Sequence, residues 1–384
     1  MSRVRIWWCA GVAACVAAGC GQDEPSLADD AKPVIEQYSA LAFAGYAASL
    51  AKAEELRIAV DALATTPSEA TLQAARQAWL AAREPYGQTE VYRFYDGPID
   101  NPTDGPEGLI NAWPLDEAYI DYVEGNSTSG IINDPTTYPT LSKELLAGAN
   151  EQGGEKNIST GYHAIEFLLW GQDLTATGAG NRPYTDYVNG AEGTAANQDR
   201  RAQYLRLAAD LLVENLRSVR DAWTPNAPNY RAELHSVDPK EALRRILQGM
   251  GSLSGAELSG ERMATAYDNR DQEDEHSCFS DNTHRDLYLN ALAIQNAYLG
   301  RGANGDGDGL DEIVGTRDQA LDAKLKQQLE TSLAAVQAIP VPFDQALAHE
   351  ESRAKILEAV RALQAQTDTI VEVATLLGIT LNLE

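Results

Sequence analysis

Cysteine is scarce in this chain of 384 residues, which contains four. Cys9 and Cys15 lie in an N-terminal segment that we expect to be removed, and Cys20 stands where that segment ends. Cys278 would then be the one thiol of the remaining chain, so no internal disulfide could form. We therefore expect the fold to depend on side-chain packing, and the sequence leaves the role of Cys278 open.

Positive charge is also scarce. The chain has 30 lysines and arginines against 57 aspartates and glutamates, which gives a formal net charge of −27. A surface this acidic repels nucleic acids and anionic lipid headgroups. The composition therefore argues against a nucleic-acid partner and is compatible with cation binding, although a solvated acidic face is the more frequent cause of such a charge.

Long apolar runs are missing after the N-terminus, where no continuous run approaches the roughly 18 residues of a membrane span. At the N-terminus, two arginines precede an apolar stretch over residues 6–18, and small residues lead to Cys20. This order is typical of an export signal with a lipoprotein cleavage site. We predict a signal peptide over residues 1–19 and lipidation at Cys20. Since Gly21 is not aspartate, resemblance to bacterial lipoproteins favours the outer membrane, with the protein facing the periplasm or the cell surface and held only by its lipid.

Alternating β-branched runs are missing as well, which disfavours a sheet. Apolar residues instead recur at steps of three and four in the segments 34–50, 205–219 and 243–253. Good helix formers fill the positions between them. The pattern predicts an all-α fold.

Loops rich in Gly, Pro, Asn and Asp separate the helical segments, and the longest covers residues 175–199. We predict two helical bundles of about four helices each, one over residues 20–190 and one over 191–384. Helices that begin near Tyr38 and Tyr204 share a similar spacing, which fits a duplication or coincidence equally well.

The segment GYHAIEFLLW, residues 161–170, places His163 and Glu166 among apolar residues. Positions three apart share one face of a helix, so these two side chains should project together. A buried carboxylate needs a partner, because its desolvation costs several kcal/mol. That partner is either a metal ion held jointly by both residues or, as an alternative, His163 itself in a structural hydrogen bond.

A second polar segment, residues 271–285, reads DQEDEHSCFSDNTHR. It follows a helix expected to end near Tyr267 and precedes one expected to begin at 281–283. His276, Asp281 and His284 are candidate metal ligands in this segment, and a solvated acidic loop is the alternative.

Glu90 is a further candidate ligand, in the segment WLAAREPYGQTEVYRFYDGPID. It could equally pair with Arg93, which lies three residues later.

Several familiar motifs are incomplete or missing. The inverted zinc-protease motif H-x-x-E-H fails because Phe167 takes the place of its second histidine. The segment 304–312 begins like a calcium loop but has Gly315 where a bidentate glutamate is needed, so we expect a glycine-rich turn there. The sequence contains no glycine-rich phosphate loop, no dinucleotide fingerprint and no G-x-S-x-G elbow.

Two longer stretches resemble a known family. GYHAIEFLLWGQD looks like the G-x-H-x-x-E motif of the imelysin-like family, and ELSGERMATAYDNRDQEDEHSCFSDNTHRD is similar to the downstream segment of its iron-regulated protein A branch. The resemblance implies two four-helix bundles with the motif near their junction, in an exported and often lipid-anchored protein of bacterial iron uptake. It also implies that His163 and Glu166 are the motif residues, and that Glu90 and the region of His276 line the same cleft.

We therefore expect a lipoprotein that binds iron, or an iron-containing ligand, in a cleft between the two bundles. Zinc is the alternative metal, and membrane components of iron uptake are the expected partners. Two other functions remain open: a metallopeptidase, for which the family is named, and a metal-free helical interaction module.

Overall fold

The structure is a computed structural model, and it describes residues 26–175, 177–302 and 305–383. The predicted signal peptide, residues 1–19, and the predicted lipidation site Cys20 lie outside the described residues.

The described residues are mainly helical, which confirms the predicted all-α fold. The α-helices are α1 Leu27–Thr65, α2 Glu69–Gly87, α3 Glu107–Ile110, α4 Glu117–Ile120, α5 Lys143–Ala149, α6 Gly161–Trp170, α7 Gln198–Ala222, α8 Tyr230–Ser236, α9 Pro239–Ser252, α10 Thr265–Asn269, α11 Thr283–Leu299, α12 Leu310–Arg317, α13 Gln319–Gln337, α14 Phe343–Ala348 and α15 Glu350–Leu376. A π-helix, Leu253–Ala264, joins α9 to α10. Short 3-10 helices cover Glu90–Tyr92, Ile131–Asn133, Tyr184–Tyr187 and Gln272–Asp274. Two short antiparallel strands, β1 Arg301–Gly302 and β2 Gly305–Asp306, lie where the sequence begins like a calcium loop.

Polar caps begin the long N-terminal helices. The side chain of Ser26 accepts a hydrogen bond from the backbone N–H of Asp29 at the start of α1. Ser68 and Thr71 form a reciprocal capping box at the start of α2. These caps satisfy backbone groups that would otherwise lack partners in the first turn.

The helices pack as two groups. In the first, α1 lies against α2 and α7, while α6 packs between α2 and α7; we call these four helices the N-terminal bundle. In the second, the π-helix, α11, α13 and α15 pack together as the C-terminal bundle. The two groups meet where α2 contacts α11. Helix α9, which packs on the π-helix and α15, also contacts α1.

The position of α7 bears on the predicted division of the chain at residue 190. Because α7 packs on α1 and α6, it lies with the helices that precede it. The division at residue 190 stays a prediction, and this packing favours one after Ala222.

Among the described residues, each helix is too short or too polar to cross a membrane.

Candidate functional site

Helix α6 carries the His163 motif and is buried along its whole length. It begins at Gly161, whose φ of +86° belongs to the region that favours glycine, and a Cβ there would lie 2.5 Å from the carbonyl oxygen of Ile110. At the second residue of the helix, the Trp79 indole N–H donates to the carbonyl of Tyr162 at 2.9 Å. Close backbone packing thus fixes where the motif side chains project.

His163 and Glu166 contact each other as the spacing predicts, with 2.9 Å between Nδ1 of His163 and Oε2 of Glu166. The other oxygen of Glu166 accepts hydrogen bonds from the backbone N–H of Ser280 at 2.9 Å and from its hydroxyl at 2.6 Å. Nε2 of His163 is buried and has no hydrogen-bond partner. The pair therefore presents one unused nitrogen in the interior.

Burial keeps this pair uncharged near neutral pH. It raises the pKa of Glu166 to about 8, and the hydrogen bonds from Ser280 only partly oppose the rise. Burial, followed by the neighbouring His276 and Arg83, lowers the pKa of His163 well below its usual value. The contact is thus a hydrogen bond between neutral groups at neutral pH.

His276 lies beside His163, with ring centroids 4.7 Å apart and ring planes at 74°. Nδ1 of His276 is 3.1 Å from Oδ2 of Asp286, which also accepts from the hydroxyl of Ser277. The ring of Trp113 is 5.7 Å from that of His276. Burial and a nearby arginine lower the pKa of His276, so its imidazole is neutral as well.

Asp286 connects this centre to Arg83. Nε of Arg83 donates to Oδ1 of Asp286 at 3.1 Å, and both side chains are fully buried. Although burial opposes ionisation, Arg83 and the hydrogen bond with His276 hold the pKa of Asp286 well below its usual value. The guanidinium of Arg83 also lies over the rings of Trp79, Tyr86 and Tyr162. The ion pair of Arg83 and Asp286 therefore holds the His276 ring in place through its Nδ1.

Glu90 lies near the centre but is already paired. One oxygen accepts from Asn111 at 3.1 Å, and the other accepts from Arg93 at 3.2 Å and from Arg262 at 2.6 Å. Burial opposes its charge, but these arginines lower the pKa of Glu90 to about 2. The pairing with Arg93 that the sequence offered as an alternative is present, and both carboxylate oxygens face N–H donors.

Asp281 and His284 contact each other instead of the paired histidines. Nδ1 of His284 is 3.1 Å from the carbonyl oxygen of Asp281, and both residues are only partly buried. Neither side chain has a hydrogen bond to His163, Glu166 or His276 among the described contacts. The structure thus brings His163, Glu166 and His276 together and leaves Asp281 and His284 outside this group.

Cys278 is buried, and burial raises the pKa of its thiol well above the usual value. A thiol that stays protonated is a poor nucleophile. The geometry therefore assigns Cys278 a packing role.

The arrangement offers two neighbouring imidazoles, each held through Nδ1 by an acidic side chain. Across the part of the chain that the structure describes, no three His, Cys, Asp or Glu side chains are placed to hold a metal ion together. Phe167, which takes the second histidine position of the zinc motif, packs on Phe279 at 5.3 Å between ring centroids. Any metal here would draw part of its ligand set from water or from the molecule that carries it.

Some important residues were not identified from sequence. Ser280 and Asp286 lie in or beside the predicted polar segment but were not singled out, and neither Arg83 nor Arg262 was proposed as part of the site. Arg83 and Asp286 are separated by 203 positions, so no local spacing relates them. The available signal was an arginine among aromatic residues in Trp79–Tyr86, a setting in which a buried cation needs an acidic partner.

Comparisons with known proteins agree on one family. The family model described as Imelysin matches residues 42–370. The chain is 26% identical to iron-regulated protein A of Synechococcus elongatus, over 94% of this chain and 90% of that protein. A crystal structure designated an iron-regulated protein A precursor, from Parabacteroides distasonis, superposes with a TM-score of 0.72 at 20% identity, covering 93% of this chain and 97% of the other. An imelysin-like protein from Psychrobacter arcticum gives a TM-score of 0.66 at 16% identity, over 93% and 98%. The two structural matches support the helical fold.

Proposed function

This chain belongs to the imelysin family, and we propose that it is an exported protein of bacterial iron acquisition that binds iron at the centre formed by His163 and His276. The observation that carries the proposal is the unpartnered, buried Nε2 of His163 beside a second neutral imidazole. Imidazole nitrogen with carboxylate support suits iron, with zinc as the alternative metal.

The hydrogen bonds behind the two rings support this role. Histidines that bind metals usually hold their other nitrogen in a hydrogen bond with a carboxylate or carbonyl group. His163 is held in this way by Glu166, and His276 by Asp286. In both cases Nδ1 is occupied, which directs the ligand role to Nε2.

The protonation of Glu166 links cation binding to pH. When Glu166 is protonated it donates to Nδ1 of His163, and the imidazole proton then sits on Nε2. A cation at Nε2 requires that proton to move to Nδ1 and Glu166 to ionise, so one proton leaves the pair as the cation enters. Because the pKa of Glu166 is about 8, binding should tighten as the pH rises toward 8.

The names of two relatives support the link to iron. The protein from Synechococcus elongatus and the structure from Parabacteroides distasonis both carry the designation iron-regulated protein A. For this chain we further propose export through the signal over residues 1–19, lipidation at Cys20 and attachment to the outer membrane, on the strength of the N-terminal sequence. Membrane components of iron uptake are the partners that such a location suits.

The geometry favours binding over peptide hydrolysis. A hydrolytic metal needs about three protein ligands and an open position for water. The described residues offer two imidazoles, and the side chains of His163 and Glu166 are 1% and 0% exposed.

Equilibrium dialysis against ferrous iron without oxygen, followed by metal analysis of the mature chain, tests the proposal. We expect about one tightly held iron per chain, lost in His163→Ala and strongly reduced in His276→Ala. His349→Ala is the matched control, because His349 is exposed and lies at the start of α15. Circular dichroism establishes that each variant is folded.

Iron content that stays the same in folded His163→Ala and His276→Ala would reject the site. Iron lost equally in His349→Ala would show that adsorption to surface histidines explains the binding.

A further inference from the structure

The centre formed by His163 and His276 is closed to solvent. The side chain of His163 is 1% exposed, that of Glu166 is 0% exposed and that of His276 is 2% exposed. A molecule that reaches Nε2 of His163 must therefore displace part of the protein. Buried sites commonly admit their ligands through the motion of a covering segment, so one of the segments around this centre has to move.

One covering segment, over residues 271–285, is firmly held. Ser280 ties it to α6 by donating two hydrogen bonds to Glu166. The loop after α6 holds it as well, because the backbone N–H of Gly180 donates to the carbonyl oxygen of Phe279 at 2.9 Å. Moving this segment would leave buried polar groups without partners, which is costly.

A second covering segment, over residues 112–115, joins α3 to α4, and we call it the strap. Both of its ends are fixed. The side-chain amide of the preceding residue, Asn111, donates to Glu90 at 3.1 Å. At the following residue, the backbone N–H of Asp116 donates to the carbonyl oxygen of Lys156 at 2.7 Å.

The strap is loosely held between these ends. Among the described backbone hydrogen bonds, none begins or ends at residues 112–115, and Pro114 has no N–H to donate. All four residues are only partly buried. A segment with few backbone hydrogen bonds opens at a low free-energy cost, so the strap is the cover that can move.

Trp113 is the strap residue that contacts the centre. Its ring lies 5.7 Å from that of His276, with the two ring planes at 68°. Trp113 is partly exposed and His276 is buried, so the indole extends from the imidazole toward solvent. Moving the strap outward would uncover His276 while the hydrogen bonds at Nδ1 of both histidines stay in place.

We propose that Trp113 is the gate of the centre formed by His163 and His276, and that the strap carries it aside to admit the cargo. The inference rests on the proposed function for the identity of the cargo. Because the indole would cover the empty and the occupied centre alike, it would slow entry and release by similar factors. It would therefore change the rates of binding and not the affinity.

Modification of histidines by diethyl pyrocarbonate, followed at each site by peptide mass spectrometry, tests the gate on metal-free protein. In the unaltered chain we expect His276 to react far more slowly than His349, which is exposed. Trp113→Ala should raise the rate at His276 about tenfold or more, because modification tracks the population of the open form. Trp113→Phe should give an intermediate rate. The rate at His349 should stay the same, and circular dichroism establishes that each variant is folded.

Tyr138→Ala is the matched control. Tyr138 is also a partly buried aromatic residue of an irregular segment, and among the described ring contacts none joins it to His163 or His276. This variant should leave the rate at His276 unchanged. The gate is overturned if Trp113→Ala leaves that rate unchanged, if Tyr138→Ala raises it equally, or if His276 of the unaltered chain reacts as fast as His349.

Iron kinetics separate this inference from the proposed function. On stopped-flow mixing with ferrous iron without oxygen, Trp113→Ala should speed association and dissociation by the same factor and leave the Kd unchanged. A weaker Kd with an unchanged association rate would contradict the gate and show that Trp113 supports the bound cargo. A chain that binds no iron but shows the gated modification of His276 would reject iron as the cargo and support the gate.

Discussion

At the scale of single residues, the neutral pair of His163 and Glu166 departs from the usual behaviour of a glutamate. Its two oxygens are fully used, one by Ser280 and one by His163. Burial nevertheless removes so much solvation that the carboxyl group of Glu166 retains its proton near neutral pH. Stability and cation binding are therefore both coupled to this one proton.

The first prediction concerns the pH dependence of stability. In the unfolded chain the pKa of Glu166 returns to near 4.5, against about 8 in the fold. Between these two pH values the folded state holds one more proton than the unfolded chain. The contribution of this proton to the free energy of unfolding is therefore fully present below pH 4.5. It is lost as the pH rises toward 8, by about 1.4 kcal/mol for each pH unit crossed. Glu166→Gln removes this loss. Urea unfolding of metal-free protein at pH 5.5, 7 and 8.5 should show a flatter profile for the variant; parallel profiles would contradict the assignment.

The second prediction concerns the ion pair behind His276. Asp286→Asn leaves the Arg83 guanidinium buried without its counter-charge, so we expect roughly 3 to 5 kcal/mol of lost unfolding free energy. Glu358→Gln is the control, because the exposed pair Lys355–Glu358 should contribute less than about 1 kcal/mol. If urea unfolding gives equal losses of unfolding free energy for the two variants, the buried pair of Arg83 and Asp286 contributes no more to stability than an exposed pair.

Sequence reasoning at this scale identified the side chains that share one helix and missed those that meet across the fold. His163 and Glu166 follow from a spacing of three residues, which a helix converts directly into contact. Asp286 and Arg83 meet only because α11 packs on α2. Glu90 was recognised as a candidate, but its role depends on Arg262, which lies 172 positions away.

At the scale of elements, the close packing of Gly161 fixes the position of α6, and the polar segment over residues 271–285 contains the start of α11. The sequence predicted a helix start at 281–283, and α11 begins at Thr283. The π-helix between α9 and α10 was not predicted, because apolar periodicity does not separate the wider helix from an ordinary one over a short stretch. Its Arg262 reaches Glu90 and Asn290.

The third prediction concerns the entry to α6. Gly161→Ala should destabilise the fold by roughly 1 to 3 kcal/mol, because φ is +86° and the added Cβ would clash with the Ile110 carbonyl. Gly148→Ala, inside α5 with open space around it, should be neutral or stabilising by up to about 1 kcal/mol. Thermal unfolding of both variants checks this, and similar Tm values for the two would refute the close packing of α6.

At the scale of the whole molecule, the net charge of −27 opposes compaction. The fourth prediction is that the Tm rises when tetramethylammonium chloride is increased from about 0.01 to 0.15 M, because salt shortens the screening length to about 8 Å. This bulky cation forms no specific contacts with carboxylates, so the rise in Tm reports the screening of general charge repulsion. A Tm that is constant or falls with salt would show that surface ion pairs outweigh the repulsion.

Composition and periodicity were sufficient for the helical class, because each helix buries a stripe of apolar residues that recurs every three or four positions. They were less informative about which helices belong together. The loop 175–199 was chosen as the boundary for its length, yet α7 beyond it packs back on α1 and α6. Loop composition reports flexibility of the chain and carries no information about the surface on which the next helix docks.

The most direct test of the central claim is a crystal of the mature chain grown with ferrous iron, measured at the iron absorption edge. We predict a single strong anomalous peak within bonding distance of Nε2 of His163 and close to the ring of His276. A crystal saturated with iron that shows no peak at His163, or a peak only elsewhere on the molecule, would contradict it.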